Sequence, residues 1–303
     1  MKCLVIGYGS IGKRHAEILK TFGCHVYLVT QQNIYEHGCF KSIKSAFQRI
    51  KFDYVVIANE THLHHDTLLQ LIQFDFDGIA LIEKPIFSKF TTIPKNKIKK
   101  IMVGYNLRFC EPLVSAKKII EKENLISFSV NVGQFLPTWR ENDYRACYSS
   151  QKNLGGGVLR DLSHELDYSL WFCGDSKEVV SMGGQYSDLN INSDDIYAIL
   201  MRCQKCPIVN IQINYLDRIT RRDIIIHTTK HSIHVDLIKG LLNVDGKIQS
   251  FEKNFMSNTY LKQHQAVLSN DFSQFCSKEE GLKIAKLIEK IEQSNQSHQW
   301  VTT

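Results

Sequence analysis

The tightest constraint on the fold is a glycine-rich turn lying between an apolar run and an amphipathic segment at residues 2–20. Lys2 to Ile6 (KCLVI) is short, apolar and partly β-branched, the composition of a strand buried on both faces. Gly7-Tyr8-Gly9-Ser10-Ile11-Gly12 follows without a spacer. Lys13 to Lys20 then reads as a helix, with Ile11, Ala16, Ile18 and Leu19 available for its apolar face. Gly7 permits the tight turn, Gly9 lets the backbone approach an anion with no Cβ in the way, and Gly12 lets the helix pack closely on the strand. The helix then offers the unpaired N–H groups of its first turn, beginning at Ser10 and Ile11, to a phosphate. Strand, loop and helix in this order form a dinucleotide-binding fingerprint.

The pattern continues as alternating strands and helices. Strands are expected at His25–Thr30, Asp53–Ala58, Ile79–Ile82 and Ile101–Tyr105, with helices over residues 42–51 and 66–73 between them. This is the signature of βαβ units on a parallel sheet. Ligands of such sheets bind at the carboxyl ends of the strands, so loops starting at residues 7, 30, 59, 83 and 106 should share one rim. From residue 106 the character changes. Helices are expected at 113–122 and 161–173, and long alternating strands at 125–133, 179–186, 196–202, 208–215, 224–228 and 232–235. Hairpin-like spacing there points to a mostly antiparallel sheet. A last helix at 279–293 carries leucine and isoleucine at helical spacing. The expected fold is an α/β Rossmann domain at residues 1–105, followed by an α+β domain with an open, mostly antiparallel sheet at 106–303.

Several function classes fall away on composition. The net charge of +6 over 303 residues is mild and does not by itself call for nucleic acid. No apolar stretch approaches the ~20 residues needed to span a bilayer, and the first strand begins where a leader would stand, so a cytoplasmic protein is expected. Nine cysteines without framework spacing suit free thiols in a reducing compartment. Cys203-Gln-Lys-Cys206 falls between two strands and reads as a hairpin turn. It has no second pair to complete a zinc site, and no metal is expected.

Three further segments suggest chemistry. Glu83-Lys84-Pro85 ends a sheet strand and presents Lys84 on the rim. Val103-Gly-Tyr-Asn-Leu-Arg-Phe109 ends another strand in Asn106 and Arg108. Gly155-Gly-Gly-Val-Leu-Arg-Asp161-Leu-Ser-His164 turns through three glycines into a helix that would carry Asp161 and His164 one turn apart. The order GYGSIG, EKP, VGYNLRF and GGG-x3-D-x2-H-x2-D resembles the glucose–fructose oxidoreductase / inositol dehydrogenase (Gfo/Idh/MocA) family over almost the whole chain.

That resemblance implies an active site between the two domains. It also implies NAD(P)-dependent oxidation or reduction at a CH–OH carbon of a sugar, cyclitol or sugar nucleotide. It assigns catalysis to Lys84, Asp161 and His164, an imidazole being suited to proton transfer near neutrality. Expected cofactor contacts are Gly7, Gly9, Ser10, Ile11, Gly12, Arg14, Thr30, Asn59, His64, Glu83 and Lys84. His62 and His65 flank His64 and read as further rim residues. The aspartate and histidine are separated by two residues here, where many family members have three. Strand two ends in Thr30-Gln31-Gln32, without the acidic residue that commonly holds the ribose 2′-hydroxyl of NAD. The cofactor is therefore NAD or NADP, with NADP favoured and Arg14 within reach of a 2′-phosphate.

Asn106, Arg108, Trp139, Tyr144 and Arg145 are the expected substrate contacts. With Arg218, Arg221 and Arg222 the arginines would form a cationic pocket for an anionic sugar, or would hold subunits together in a homo-oligomer. Two other readings stay open: a redox-neutral, NAD-dependent glycoside hydrolase that returns its cofactor unchanged, and a cofactor-binding protein without turnover.

Overall fold

The computed structural model describes residues 1–34, 38–139 and 143–303. The chain divides into two compact units, Met1–Asn106 with Tyr260–Ala285, and Leu107–Thr259 with Lys286–Thr303. The chain crosses to the second unit after Asn106, and residues 260–285 return to the first. The return is fixed by pairing: the short strand Cys276–Ser277 adds antiparallel to the edge of the first unit's sheet.

In the first unit, β1 (Lys2–Ile6), β2 (His25–Val29), β3 (Cys39–Phe40), β4 (Tyr54–Ile57), β5 (Ile79–Ile82) and β6 (Lys100–Val103) are all parallel. Their order is 6-5-4-1-2-3, the doubly wound arrangement with its switch point beside β1. Every residue of β4 and β5 is buried, which explains their unbroken apolar runs. The register aligns Ile6 with Val29 and Ile57, Ile57 with Ile82, and Ile82 with Val103. The strands therefore end level, and Gly7, Thr30, Asn59, Glu83 and Gly104 follow along one edge. Helices α1 (Ser10–Thr21), α2 (Ile43–Phe47) and α3 (His64–Gln73) connect the strands.

The second unit opens with α4 (Glu111–Ile120) and carries a nine-stranded sheet. Its strands are β7 (Leu125–Gly133), β8 (Ser176–Gly184), β9 (Ile196–Cys203), β10 (Ile208–Asn214), β11 (Arg221–Thr228), β12 (Ser232–Asp236), β13 (Leu241–Val244) and β14 (Lys247–Ser250), with Val301–Thr302 at the β8 edge. Among the described residues of this sheet β7 and β10 run parallel and the other pairs are antiparallel. Burial alternates strictly along β9, so one face is covered and the other open.

Helices α5 (Leu136–Trp139), α6 (Val158–Asp161) and α7 (His164–Cys173) also belong to this unit. The helix expected from 161 to 173 is thus interrupted at Leu162–Ser163. Two later helices, α8 (Asn258–Leu268) and α9 (Lys278–Ser297), span the returns between the units. Among the described residues no helix is long and apolar enough to cross a membrane.

Candidate active site

The glycine loop adopts the geometry its sequence requires. Gly7 sits at φ +92°, and a Cβ there would collide with the Ala58 and Asn59 backbone. A Cβ on Gly12 would strike the Gly7 carbonyl oxygen, whereas one on Gly9 would meet nothing within 4 Å. The space over Gly9 lies beside the start of α1, which has no side-chain cap and no acidic residue in its first turn. This is a cradle for an anion held by backbone N–H groups, and it fits a dinucleotide pyrophosphate.

The neighbouring loops are fastened to that cradle. Gln32 donates from Nε2 to the Tyr8 carbonyl at 3.0 Å, and its backbone N–H donates to Thr30 Oγ1 at 3.1 Å. Lys41 crosses from the end of β3 and donates from Nζ to the carbonyls of Gln31 (3.1 Å) and Gln32 (2.9 Å). Sequence reasoning missed Lys41, because nothing local marks a lysine that returns to another strand's end. The Arg14 guanidinium lies 5.1 Å from the Tyr260 ring centroid, a cation–π contact within the unit.

Beyond β4, Asn59 Nδ2 donates to Thr67 Oγ1 at 2.8 Å, and its buried Oδ1 has no partner among the described residues. A buried carbonyl in that state suits a ligand donor, such as a carboxamide. His64 Nδ1 faces the carbonyl oxygens of Pro85 (3.1 Å) and Ile86 (3.2 Å), and Nε2 faces that of Asn59 (3.1 Å). Burial pushes this imidazole below its ordinary value, against the opposing pull of those carbonyls. His64 therefore staples the loop after β4 to the loop after β5. In the latter, the Lys84 backbone N–H donates to Glu83 Oε2 at 3.2 Å. Gly104 makes room for Glu83: a Cβ there would stand 2.6 Å from Oε1.

The second unit places Asp161 and His164 on two consecutive helices, Asp161 ending α6 and His164 opening α7. The three glycines are needed because the turn into α6 is crowded. Gly155 and Gly157 have φ of +81° and +112°, a Cβ on Gly156 would strike the Tyr148 carbonyl, and one on Gly157 the Asp194 carboxylate. Asp194 in turn accepts the Leu159 N–H at 2.9 Å. Asp161 Oδ2 accepts from the Tyr215 hydroxyl at 2.6 Å, and the Tyr215 ring lies 5.8 Å from that of Trp139. Tyr215, just past the end of β10, was legible only as an apolar strand residue. Burial and the facing Asp161 push its phenol well above its ordinary value, so it remains a donor.

The arginines expected to line a cationic pocket are differently engaged. Arg108 forms a buried pair with Asp167, donating from Nε at 3.1 Å to both carboxylate oxygens and from NH2 at 2.8 Å. Arg222 meets Glu165, which is fully buried, at 2.7 Å. A buried guanidinium must be neutralised, and these two carry no net charge to the surface. Arg218 lies over the Phe135 ring at 4.3 Å. Arg145 is exposed, grips Asp143 at 2.7 Å, and borders an open pocket of about 440 Å³ with Gln151 and Asn192. Tyr144 accepts the Asn190 N–H at 3.3 Å. Asn106 is buried and belongs to the first unit. Arg140 to Asn142 lie outside the described residues.

The profile of the GFO/IDH/MocA C-terminal domain matches residues 116–234. That stretch is similar to the C-terminal domain of Gfo/Idh/MocA proteins. The match covers β7 to β11 and the start of β12, the part of the sheet beside Tyr215, and includes Asp161 and His164. No curated protein matches the chain in sequence. Solved structures do resemble it. Levoglucosan dehydrogenase in complex with NADH and levoglucosan is 17% identical, with a TM-score of 0.84 over 100% of this chain and 99% of that one. An oxidoreductase from Agrobacterium radiobacter in complex with NAD+, L-tartaric acid and magnesium is 16% identical, with a TM-score of 0.84 over 100% and 98%. An NAD binding oxidoreductase from Klebsiella pneumoniae is 16% identical, with a TM-score of 0.81 over 100% and 98%. At such identities the likeness is one of fold.

Proposed function

We propose that the protein is a nicotinamide-dependent oxidoreductase acting on a CH–OH group of a sugar-like substrate. The observation that carries this reading is the first unit's edge, where the open space over Gly9, the uncapped start of α1 and the unpartnered Asn59 Oδ1 adjoin the Glu83–Lys84–Pro85 segment. When bound, the nicotinamide supplies the hydride acceptor or donor. Lys84 stabilises the developing alkoxide, and His164 takes or returns the hydroxyl proton. Asp161, fixed by Tyr215, orients the alcohol. The structurally similar levoglucosan dehydrogenase and the tartrate-bound oxidoreductase support a polyhydroxylated substrate.

Fluorescence titration with NADH and NADPH, followed by a panel of sugars, polyols and sugar acids, tests this reading. Cofactor binding with a change in the reduced-nicotinamide absorbance is the expected result. Release of free sugar without net cofactor turnover would favour the glycoside hydrolase instead, and absence of cofactor binding would overturn the reading.

NADP is favoured over NAD. The end of β2, Thr30-Gln31-Gln32, carries no carboxylate for the ribose, and the Lys41 ammonium stands at the Gln31 and Gln32 carbonyls, where a 2′-phosphate would gain a charge-assisted contact. Lys41→Ala is expected to weaken NADPH binding about tenfold and leave NADH within about twofold. Equal losses for both cofactors would remove Lys41 from this role. The open face of the second sheet exposes Leu200, Ile208 and Ile225, and a homo-oligomer formed there is expected; a monomer by light scattering would contradict it.

A further inference from the structure

We infer that Tyr54, His264 and His15 form a one-way buried hydrogen-bond chain that positions Glu83 and, through it, Lys84. The four side chains come from four elements. Tyr54 lies in β4, His264 in α8, His15 in α1 and Glu83 directly after β5. Tyr54 Oη and His264 Nδ1 are 3.2 Å apart, His264 Nε2 and His15 Nδ1 2.7 Å, and His15 Nε2 and Glu83 Oε1 2.9 Å. Tyr54, His264 and His15 are completely buried, and Glu83 is 6% exposed.

The proton directions follow from the closed end. Among the described residues the Tyr54 hydroxyl has one partner, His264 Nδ1, so its proton must go there. A hydroxyl buried without an acceptor would be costly. His264 then carries its own proton on Nε2 and donates to His15 Nδ1. His15 is left with its proton on Nε2, which it donates to Glu83 Oε1. Reversing any link would leave the Tyr54 proton with no acceptor. Burial and the neighbouring His15 push His264 well below its ordinary value, and burial pushes Tyr54 well above its own. Both shifts agree with a chain of neutral groups.

The chain ends on the catalytic segment. Glu83 receives His15 on Oε1 and the Lys84 backbone N–H on Oε2. Gly104, having no Cβ, leaves Oε1 the space it occupies. Each link removes a rotational freedom from Glu83, and the Glu83–Lys84 bond passes that restraint on. His15, His264 and Tyr54 are thus positioning residues that act through Glu83. The His264 contribution arrives with the returning segment 260–285, so it is the return that closes the chain.

The functional half rests on the cofactor reading above, and the test separates the two. Two-bond nitrogen–proton spectra of the full chain labelled at histidine should show His15 and His264 both as neutral Nε2–H tautomers. An Nδ1–H tautomer or an imidazolium at either would overturn the chain, whatever the protein binds. Binding is then compared for NADH and for ADP-ribose, which lacks the nicotinamide and reports the glycine loop alone. His264→Leu should weaken NADH about tenfold and leave ADP-ribose unchanged. His264→Gln, whose amide nitrogen reproduces Nε2, should restore NADH binding. In a Lys84→Ala background His264→Leu should cost nothing more, since both changes act through one group. Equal losses for both ligands, failure of the glutamine variant, or additivity with Lys84→Ala would overturn the positioning role. Failure of the unmodified chain to bind either ligand would overturn the cofactor reading and the positioning role together, while the tautomers would still decide the hydrogen-bond chain.

Discussion

Lys84→Ala is expected to lower turnover by about 10²–10³-fold, the scale on which single groups that stabilise a developing alkoxide act. The variant should fold normally, because the lysine's backbone N–H, which Glu83 holds, is retained. It should also still bind reduced cofactor through the glycine loop, more weakly than the unmodified chain. Single-turnover absorbance with whichever substrate the panel identifies measures the effect free of product release. A rate within threefold of the unmodified chain would remove Lys84 from the chemistry. A large rise in KM with turnover intact would make it a binding residue only.

The second large effect is on stability. Arg108 and Asp167 have side chains 3% and 1% exposed and meet in a fork. Arg108→Met leaves the Asp167 carboxylate buried beside an apolar chain, and loss of one partner of such a pair costs about 3–5 kcal/mol. The double variant Arg108→Met, Asp167→Leu should recover most of that loss, because the charge left behind is what destabilises. Urea unfolding of the single and double variants measures both. If Arg108→Met leaves the midpoint unchanged but raises KM for an anionic sugar, the arginine serves substrate and not the core.

The glycine loop and the strand alternation of the first unit were legible because each follows from local rules: turn conformation, β-branching, and helix periodicity. The level strand ends, and with them the shared edge, then follow from topology. What the sequence did not reveal depends on distant partners. Arg108 and Arg222 looked like pocket cations because the carboxylates that neutralise them lie 59 and 57 residues away. His264 is one histidine in an unremarkable helical segment until the fold brings it to His15. The break at Leu162–Ser163 was hidden because 161–173 carries no proline or glycine before Gly174. Strands β13 and β14 escaped notice because they are short, and β14 is exposed along its whole length, leaving no apolar signal to read.

The return of residues 260–285 to the first unit has a consequence for biosynthesis. A ribosome delivers the chain from one end, yet the sheet edge at β6 and the partner of His15 come from residues made after almost all of the second unit. The nascent first 106 residues must wait with that edge strand open and a buried imidazole unmatched, a state that invites wrong pairing. Nor does cutting after residue 106 release a portable nucleotide-binding module. Anyone grafting that module elsewhere would have to carry the distant segment with it, or supply a new strand and a new donor in its place.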